Sequence, residues 1–403
     1  SSGRPHRIRG GPHTMKTMLT FVQGSRQHRV YQAVWWGLFA LLAIVLPYYL
    51  PAFQVGRLNR AILLAIAILG VNLVIGYSGL IALSHGAFIG IGAFLAATLV
   101  VDEGWDYWMV MPVAFIVTFL VGMVLGLPAL RIRGLYLALV TIAFAAVFPT
   151  LAKIDGLAIG GRTISDRTGG PNGRIIREQV VAPDWLPDAI FGNELEGHLY
   201  RYWIIFGVAV LCFWAIRNIL KSRPGRAIVA IRDNEIGAAV SGVNLPLYKT
   251  LTFGLSSALA GVAGVLLAMD KGFVGEQDFG FALAIDLLVG VVVGGLGTLW
   301  GGPVGGLVVV FVREMTKDWP DKYLGFLDLP NPAPLSLGFF GLILVLVTFF
   351  APGGIVGLWR KTKARLLVTV IPLAPDGTPI SELAEAEAAR AEADTEGEEA
   401  VRS

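Results

Sequence analysis

The chain has 403 residues, 55% of them hydrophobic and 15% charged, with a mean hydropathy of +0.67 and a net charge of +3. A water-soluble fold of this length needs far more polar surface, so an ordinary soluble protein is excluded. The single cysteine, Cys212, sits in an apolar run and excludes an intrachain disulfide, thiolate metal clusters and dithiol redox chemistry.

Residues 1–30 carry Arg4, Arg7, Arg9, Lys16, Arg26 and Arg29 with no acidic residue. The positive-inside rule predicts a cytoplasmic position for this segment. The chain opens on Ser1, and the stretch before Met15 is expected to be a leader with no function of its own.

Ten apolar blocks follow, at 33–51, 60–77, 79–101, 109–130, 135–152, 201–219, 250–269, 282–297, 299–312 and 335–357. Most are close to the roughly 17–25 residues that a helix needs to cross about 30 Å of hydrocarbon. A membrane barrel would instead alternate apolar and polar residues in segments of about ten, and no such alternation occurs. The expected fold is therefore an all-α polytopic membrane protein of about ten transmembrane helices, with one or more broken or re-entrant segments, over residues 31–357. Fifty glycines suit close helix approach in lipid.

Within the third block, His85 is the only histidine in an apolar stretch. The Ser84-His85-Gly86 step fits either a broken helix facing a wet cavity or a buried imidazole bonded to a neighbouring helix. Residues 153–200 form the one large segment expected outside, rich in Gly, Pro, Asp and Arg, with Trp185 and the run Asn193-Glu194-Leu195-Glu196. It reads as a cap or docking surface, or as a solvated connector. His198 within it is expected to be solvated and not a ligand.

Residues 220–249 carry five basic residues against two acidic and are expected inside. Here Asp233 or Asn234 is predicted to cap a helix of about two turns that Gly242 and Pro246 then end, with Ile236, Ala239 and Val240 available to one face. The segment reads as an ordinary loop helix, or as a stiff element passing force from a cytoplasmic partner.

Asp286 lies shallow in the eighth block and is expected to face protein or water, lining a pathway or bonding a helix end. The Gly301-Gly302-Pro303 cluster predicts a break between the eighth and ninth blocks. That break keeps the basic residues Arg360, Lys361, Lys363 and Arg365 in the cytoplasm, whereas Arg57 and Arg60 fall outside against the rule. The tail at 358–403 is basic and then Glu-rich, and is expected to be cytoplasmic and disordered.

Several of these segments resemble one family. The run Gly225-Arg226-Ala227 through Ala230-Ile231-Arg232-Asp233, then Ala238-Ala239, Gly242-Val243-Asn244, Tyr248-Lys249 and Ser256 to Gly264, is similar to the permease subunits of branched-chain amino acid ABC importers of the M type. That family also includes urea and amide permeases. Matching stretches are Gly76-Tyr77-Ser78-Gly79 to Phe88, Arg131 to Ala138 with Thr141, Thr168 to Gly173, and Gly294 to Gly305. Where the family shows Gly-Gln-x-Ser-x-Gly-His, this chain reads Gly79-Leu80-Ile81-Ala82-Leu83-Ser84-His85, replacing two polar positions with Leu80 and Ala82.

The resemblance implies coupling to an ATPase through Arg232, Asp233, Glu235, Ala238, Ala239, Gly242 and Asn244. The candidates for lining the pathway are Ser78, Ser84, His85, Tyr136, Thr141 and Asp286. It also implies a second, related permease subunit in a heterodimer, two cytoplasmic ATPase subunits, an extracytoplasmic solute-binding protein, and a bacterial cytoplasmic membrane.

No Gly-x4-Gly-Lys-[Ser/Thr] loop occurs, so ATP and Mg²⁺ are expected to act on partner subunits. No directly bound cofactor, metal, catalytic group or nucleic-acid partner is expected. The competing readings are a urea or short-amide permease, an ion-coupled secondary carrier, and a passive channel or scaffold.

Overall fold

The computed structural model describes residues 19–22, 41, 43–127, 135–153, 158–159, 162–176, 189–190, 193–194, 197–316, 333–351, 353–366 and 368–371. The basic leader, the Arg131-Ile132-Arg133 link, Trp185, Leu195-Glu196 and the Glu-rich tail lie outside the described residues. The chain divides into two units, one of residues 1–45 with 358–403 and one of residues 46–357. In the first, the strand Leu19–Val22 pairs in parallel with Val368–Ile371, a β-branched Val-Thr-Val-Ile run suited to extended backbone.

The helices are, in chain order, α1 (43–49), α2 (Ala52–Asn72), α3 (His85–Glu103), α4 (Tyr107–Gly126), α5 (Leu135–Leu151), α6 (Ile164–Thr168), α7 (Gly197–Lys221), α8 (Arg223–Asp233), α9 (Glu235–Val240), α10 (Leu245–Lys271), α11 (Phe281–Gly294), α12 (Gly301–Thr316), α13 (Ala333–Phe350) and α14 (Gly354–Leu366). A π-helical turn, Leu73–Tyr77, continues α2. Six helical stretches among the described residues are long and apolar enough to cross a membrane: Ala52–Tyr77, α3, α4, α7, α10 and Glu276–Gly294. The chain is an all-α polytopic membrane protein.

Composition decides which helix sits inside the larger unit. The apolar window of α10 is 83% buried, against 33% for α4 and 22% for α7. Along α10 runs Ser256-Ser257-Ala258-Leu259-Ala260-Gly261-Val262-Ala263-Gly264, small enough for α2, α3 and α4 to close around it. α4 instead turns Trp108, Met109, Ile116, Leu120 and Val124 outward, as lipid permits. Lipid tails are as apolar as Leu, so burying hydrocarbon between helices gains little, and dispersion between close backbones takes over. A Cβ on Gly92 would strike the carbonyl of Gly261, and one on Gly264 the carbonyl of Ile89. That is the contact where α3 and α10 touch.

The predicted break near residue 300 exists, but glycine makes it and not proline. α11 stops at Gly294; Gly295 (φ 125°) and Gly297 (φ 66°) then reverse the chain in conformations that a side chain would strain. Pro303 stands in the first turn of α12, where its missing N–H has no intrahelical partner to lose. Similarly, Pro246 opens α10 and does not end the preceding helix.

At the far end of α10, about 40 Å from its start at 1.5 Å per residue, the stretch 162–176 is fastened to the bundle. Strand Arg174–Ile175 pairs with Phe273–Val274, Arg174 binds Asp102 and the Arg167 carbonyl, and Thr168 donates to the Ala152 carbonyl at 2.5 Å. This part is no free connector.

Candidate functional site

Two interrupted helices and one loop meet in the larger unit. In the first interruption the π turn widens α2, Leu80 N–H reaches back to the Val74 carbonyl at 3.0 Å, and Gly79 (φ 71°) redirects the chain before α3 starts. The second is the Gly295–Trp300 turn. Asn72 joins them: its Nδ2 donates to the Thr298 carbonyl at 2.7 Å, and its Oδ1 accepts from Gly297 N–H at 2.9 Å. Nothing in the sequence separates Asn72 from an ordinary polar residue in an apolar block, since its partners lie more than 200 positions away.

The loop arrives through α8, whose Arg232 donates from Nη1 to the Gly76 carbonyl at 3.0 Å and lies against Gly79 and Gly297. Arg232 also pairs with Asp233 at 2.9 Å. After α8, Asn234, one of the two caps the sequence allowed, accepts from Gly237 N–H at 2.9 Å and starts α9. The short helix has six residues and ends before Gly242, at φ 83°. Its Ala238 is buried and its Ala239 exposed, while Ile236 and Val240 are 73% and 85% exposed. Glu235 bonds buried Lys249 of α10 at 2.5 Å, and Asn244 caps α10 by accepting from Leu247 N–H at 3.2 Å. The seven predicted coupling residues thus include three anchors into the bundle, Arg232, Glu235 and Asn244. The sequence missed α8 itself, whose apolar run is only Ala227 to Ile231, and Lys249.

The predicted pathway residues divide. Ser84, His85 and Thr141 gather at the start of α3. All three are buried; Thr141 donates to carbonyls of its own helix and accepts Leu83 N–H at 3.0 Å, holding the non-helical segment against α5. His85 Nε2 lies 2.5 Å from Ser256 Oγ, which itself donates to the Gly70 carbonyl at 2.5 Å. Phe88 meets the imidazole edge-on at 6.2 Å between centroids. Ser78 is buried and bonded to the Val74 carbonyl. Tyr136 is 72% exposed on α5, apart from this group. Asp286 bonds Arg313 near the end of α12.

Charges elsewhere are also paired. Arg57, which strains the charge rule in the sequence, binds Glu314 at 2.7 Å, and Asn59 donates to Asp270 at 2.9 Å. Among the described residues no group of three or more His, Cys, Asp or Glu could hold a metal ion.

The family described as branched-chain amino acid transport system / permease component matches residues 55–348. The permease protein LivM of the high-affinity branched-chain amino acid transport system of Salmonella typhimurium is 30% identical over 343 residues, covering 79% of this chain and 74% of the relative. The LivM protein of Escherichia coli is 29% identical over 335 residues, with the same coverage. The permease protein BraD of Pseudomonas aeruginosa is 28% identical over 303 residues, covering 73% of this chain and 91% of the relative. No solved structure matches the chain.

Proposed function

We propose that this chain, which belongs to the family of branched-chain amino acid transport system permease components, is one half of the membrane pathway of an ATP-driven importer for branched-chain or similarly small amino acids. It is a transport subunit and not an enzyme. The single observation that carries the coupling half of this reading is α9, a short capped helix with Ile236 and Val240 exposed, rooted by Arg232 in both helix interruptions.

A force applied to α9 has a short covalent and hydrogen-bonded route into the bundle. It runs through α8 to Arg232, from Arg232 to Gly76, and from the π turn through Asn72 to Gly297 and Thr298. The interruptions can rearrange without unwinding a whole span, which suits alternating access. The partners in this reading are two cytoplasmic ATPase subunits that grip α9, a second permease related to this one, and an extracytoplasmic binding protein that selects the solute. ATP and Mg²⁺ belong to the ATPases.

Ten crossings follow if α1, α5, α12 and α13 are added to the six long helical stretches. Both termini and α9 then face the cytoplasm of a bacterial inner membrane, and the 162–176 segment faces outward.

The test is the assembled complex carrying Ile236→Ser with Val240→Ser, or Gly242→Val. The serine pair is expected to reduce co-purifying ATPase at least tenfold while the permease still inserts. Gly242→Val is expected to remove solute-stimulated hydrolysis, because a β-branched residue is strained at φ 83°. Wild-type coupling in both variants would overturn the assignment.

A further inference from the structure

The start of α3 holds an unusual set of polar groups. Ser84 Oγ and His85 Nδ1 are buried without a hydrogen-bond partner, on residues 0% and 1% exposed. The N–H groups of His85 and Gly86, the first of a 19-residue helix, have no acceptor among the described residues. Buried polar groups are nearly always satisfied, and a native cluster that is not points to a missing occupant. A helix start also presents partial positive charge.

The proton positions follow from the bonds. Ser256 gives its one hydroxyl proton to the Gly70 carbonyl, so toward His85 it acts as an acceptor, and Nε2 carries the imidazole proton. In the neutral ring Nδ1 is then a bare lone pair, an acceptor waiting for a donor. Three consecutive residues, Ser84, His85 and Gly86, therefore offer amide and hydroxyl donors for an anion beside one acceptor for an N–H group.

We propose that this cluster binds the zwitterionic end of a free α-amino acid during passage. The carboxylate takes the His85 and Gly86 amides with the Ser84 hydroxyl, and the ammonium group donates to His85 Nδ1. The assignment rests on the reading of the chain as an amino acid permease and deepens it. Access requires the bundle to open at this point. The segment before Ser84 is non-helical, and Gly86 packs against the Phe279 and Gly280 carbonyls just before α11 begins.

Two substitutions separate the atoms involved. In His85→Gln the side-chain amide reaches the Nε2 position and keeps a donor for Ser256, but removes the Nδ1 lone pair. In Ser84→Ala a hydroxyl with no protein partner is deleted, so thermal stability is expected to stay at the wild-type value. The assay is uptake of L-leucine by the complete complex, with its ATPases, partner permease and binding protein, in liposomes loaded with ATP.

The expected result is a half-saturation concentration raised about tenfold or more in His85→Gln and about fivefold in Ser84→Ala. Wild-type uptake kinetics in Ser84→Ala overturn the proposal, whatever His85→Gln does. A wild-type complex that moves neither leucine nor any other small amino acid overturns the amino acid reading itself, which is a different failure.

Discussion

Asn72 shows how much one side chain holds in a membrane core. From a fully buried position it bonds the Thr298 carbonyl and the Gly297 amide at once, 2.7 and 2.9 Å away. Asn72→Ala leaves the Gly297 amide unpaired and the Thr298 carbonyl with Gly301 N–H alone, and an unsatisfied buried group costs about 1–3 kcal/mol. Asn244→Ala removes a cap at an exposed helix start, typically worth about 1 kcal/mol. A thermal unfolding series on the detergent-solubilised chain is therefore expected to rank Asn72→Ala well below Asn244→Ala, and a reversed order would remove Asn72 from its structural role. The two residues also differ in what sequence reveals. Asn244 precedes a Leu-Pro helix start and is readable from its neighbours, as is Asn234. Asn72 lies in the apolar run Gly70-Val71-Asn72-Leu73-Val74, and its meaning depends on a turn that the chain forms more than 200 residues later.

At the scale of elements, apolar block length located the helices because bilayer thickness sets that length independently of tertiary packing. Each of the six long helical stretches overlaps one of the blocks read in that way, with ends moved by as many as eight residues. Polar elements have no such ruler. α8 stayed hidden because Arg223-Pro224-Gly225-Arg226 carries no long apolar run, and Pro246 misled because proline serves helix starts as readily as stops.

The glycines of α3 and α10 give a sharper test of how these elements are held. Ala at Gly92 or Gly264 would put a methyl group into a facing backbone carbonyl, whereas Gly207 and Gly341 have nothing within 4 Å of a new Cβ. Helix propensity alone favours Ala over Gly by about 1 kcal/mol at all four positions. Gly207→Ala and Gly341→Ala are thus expected to be neutral or stabilising, and Gly92→Ala and Gly264→Ala destabilising. Monodispersity after heating would measure this. Equal behaviour of the two pairs would mean that α3 and α10 are not in backbone contact.

For the molecule as a whole, the question is where the energy for transport enters. An ion-coupled carrier needs ionisable groups that exchange protons or sodium during the cycle. Among the described residues in or next to the spans, four ionisable pairs or bonds engage protein: Asp286 with Arg313, Lys249 with Glu235, Arg57 with Glu314, and Asp270 with Asn59. Removing one partner of a buried pair is costly, so these pairs are poor candidates for a site that must open on every turnover. The sequence also lacks a phosphate-binding loop, so the chain cannot hydrolyse ATP by that route.

On the proposed reading work comes through a surface, and α9 offers exposed apolar side chains on an anchored helix. Liposomes holding this chain alone are expected to show no uphill accumulation of leucine under an imposed proton or sodium gradient. Liposomes holding the full complex are expected to accumulate it only with internal ATP, and to keep doing so when ionophores collapse both gradients. Gradient-driven accumulation by the isolated chain would make it a carrier, and α9 would then be no more than a loop.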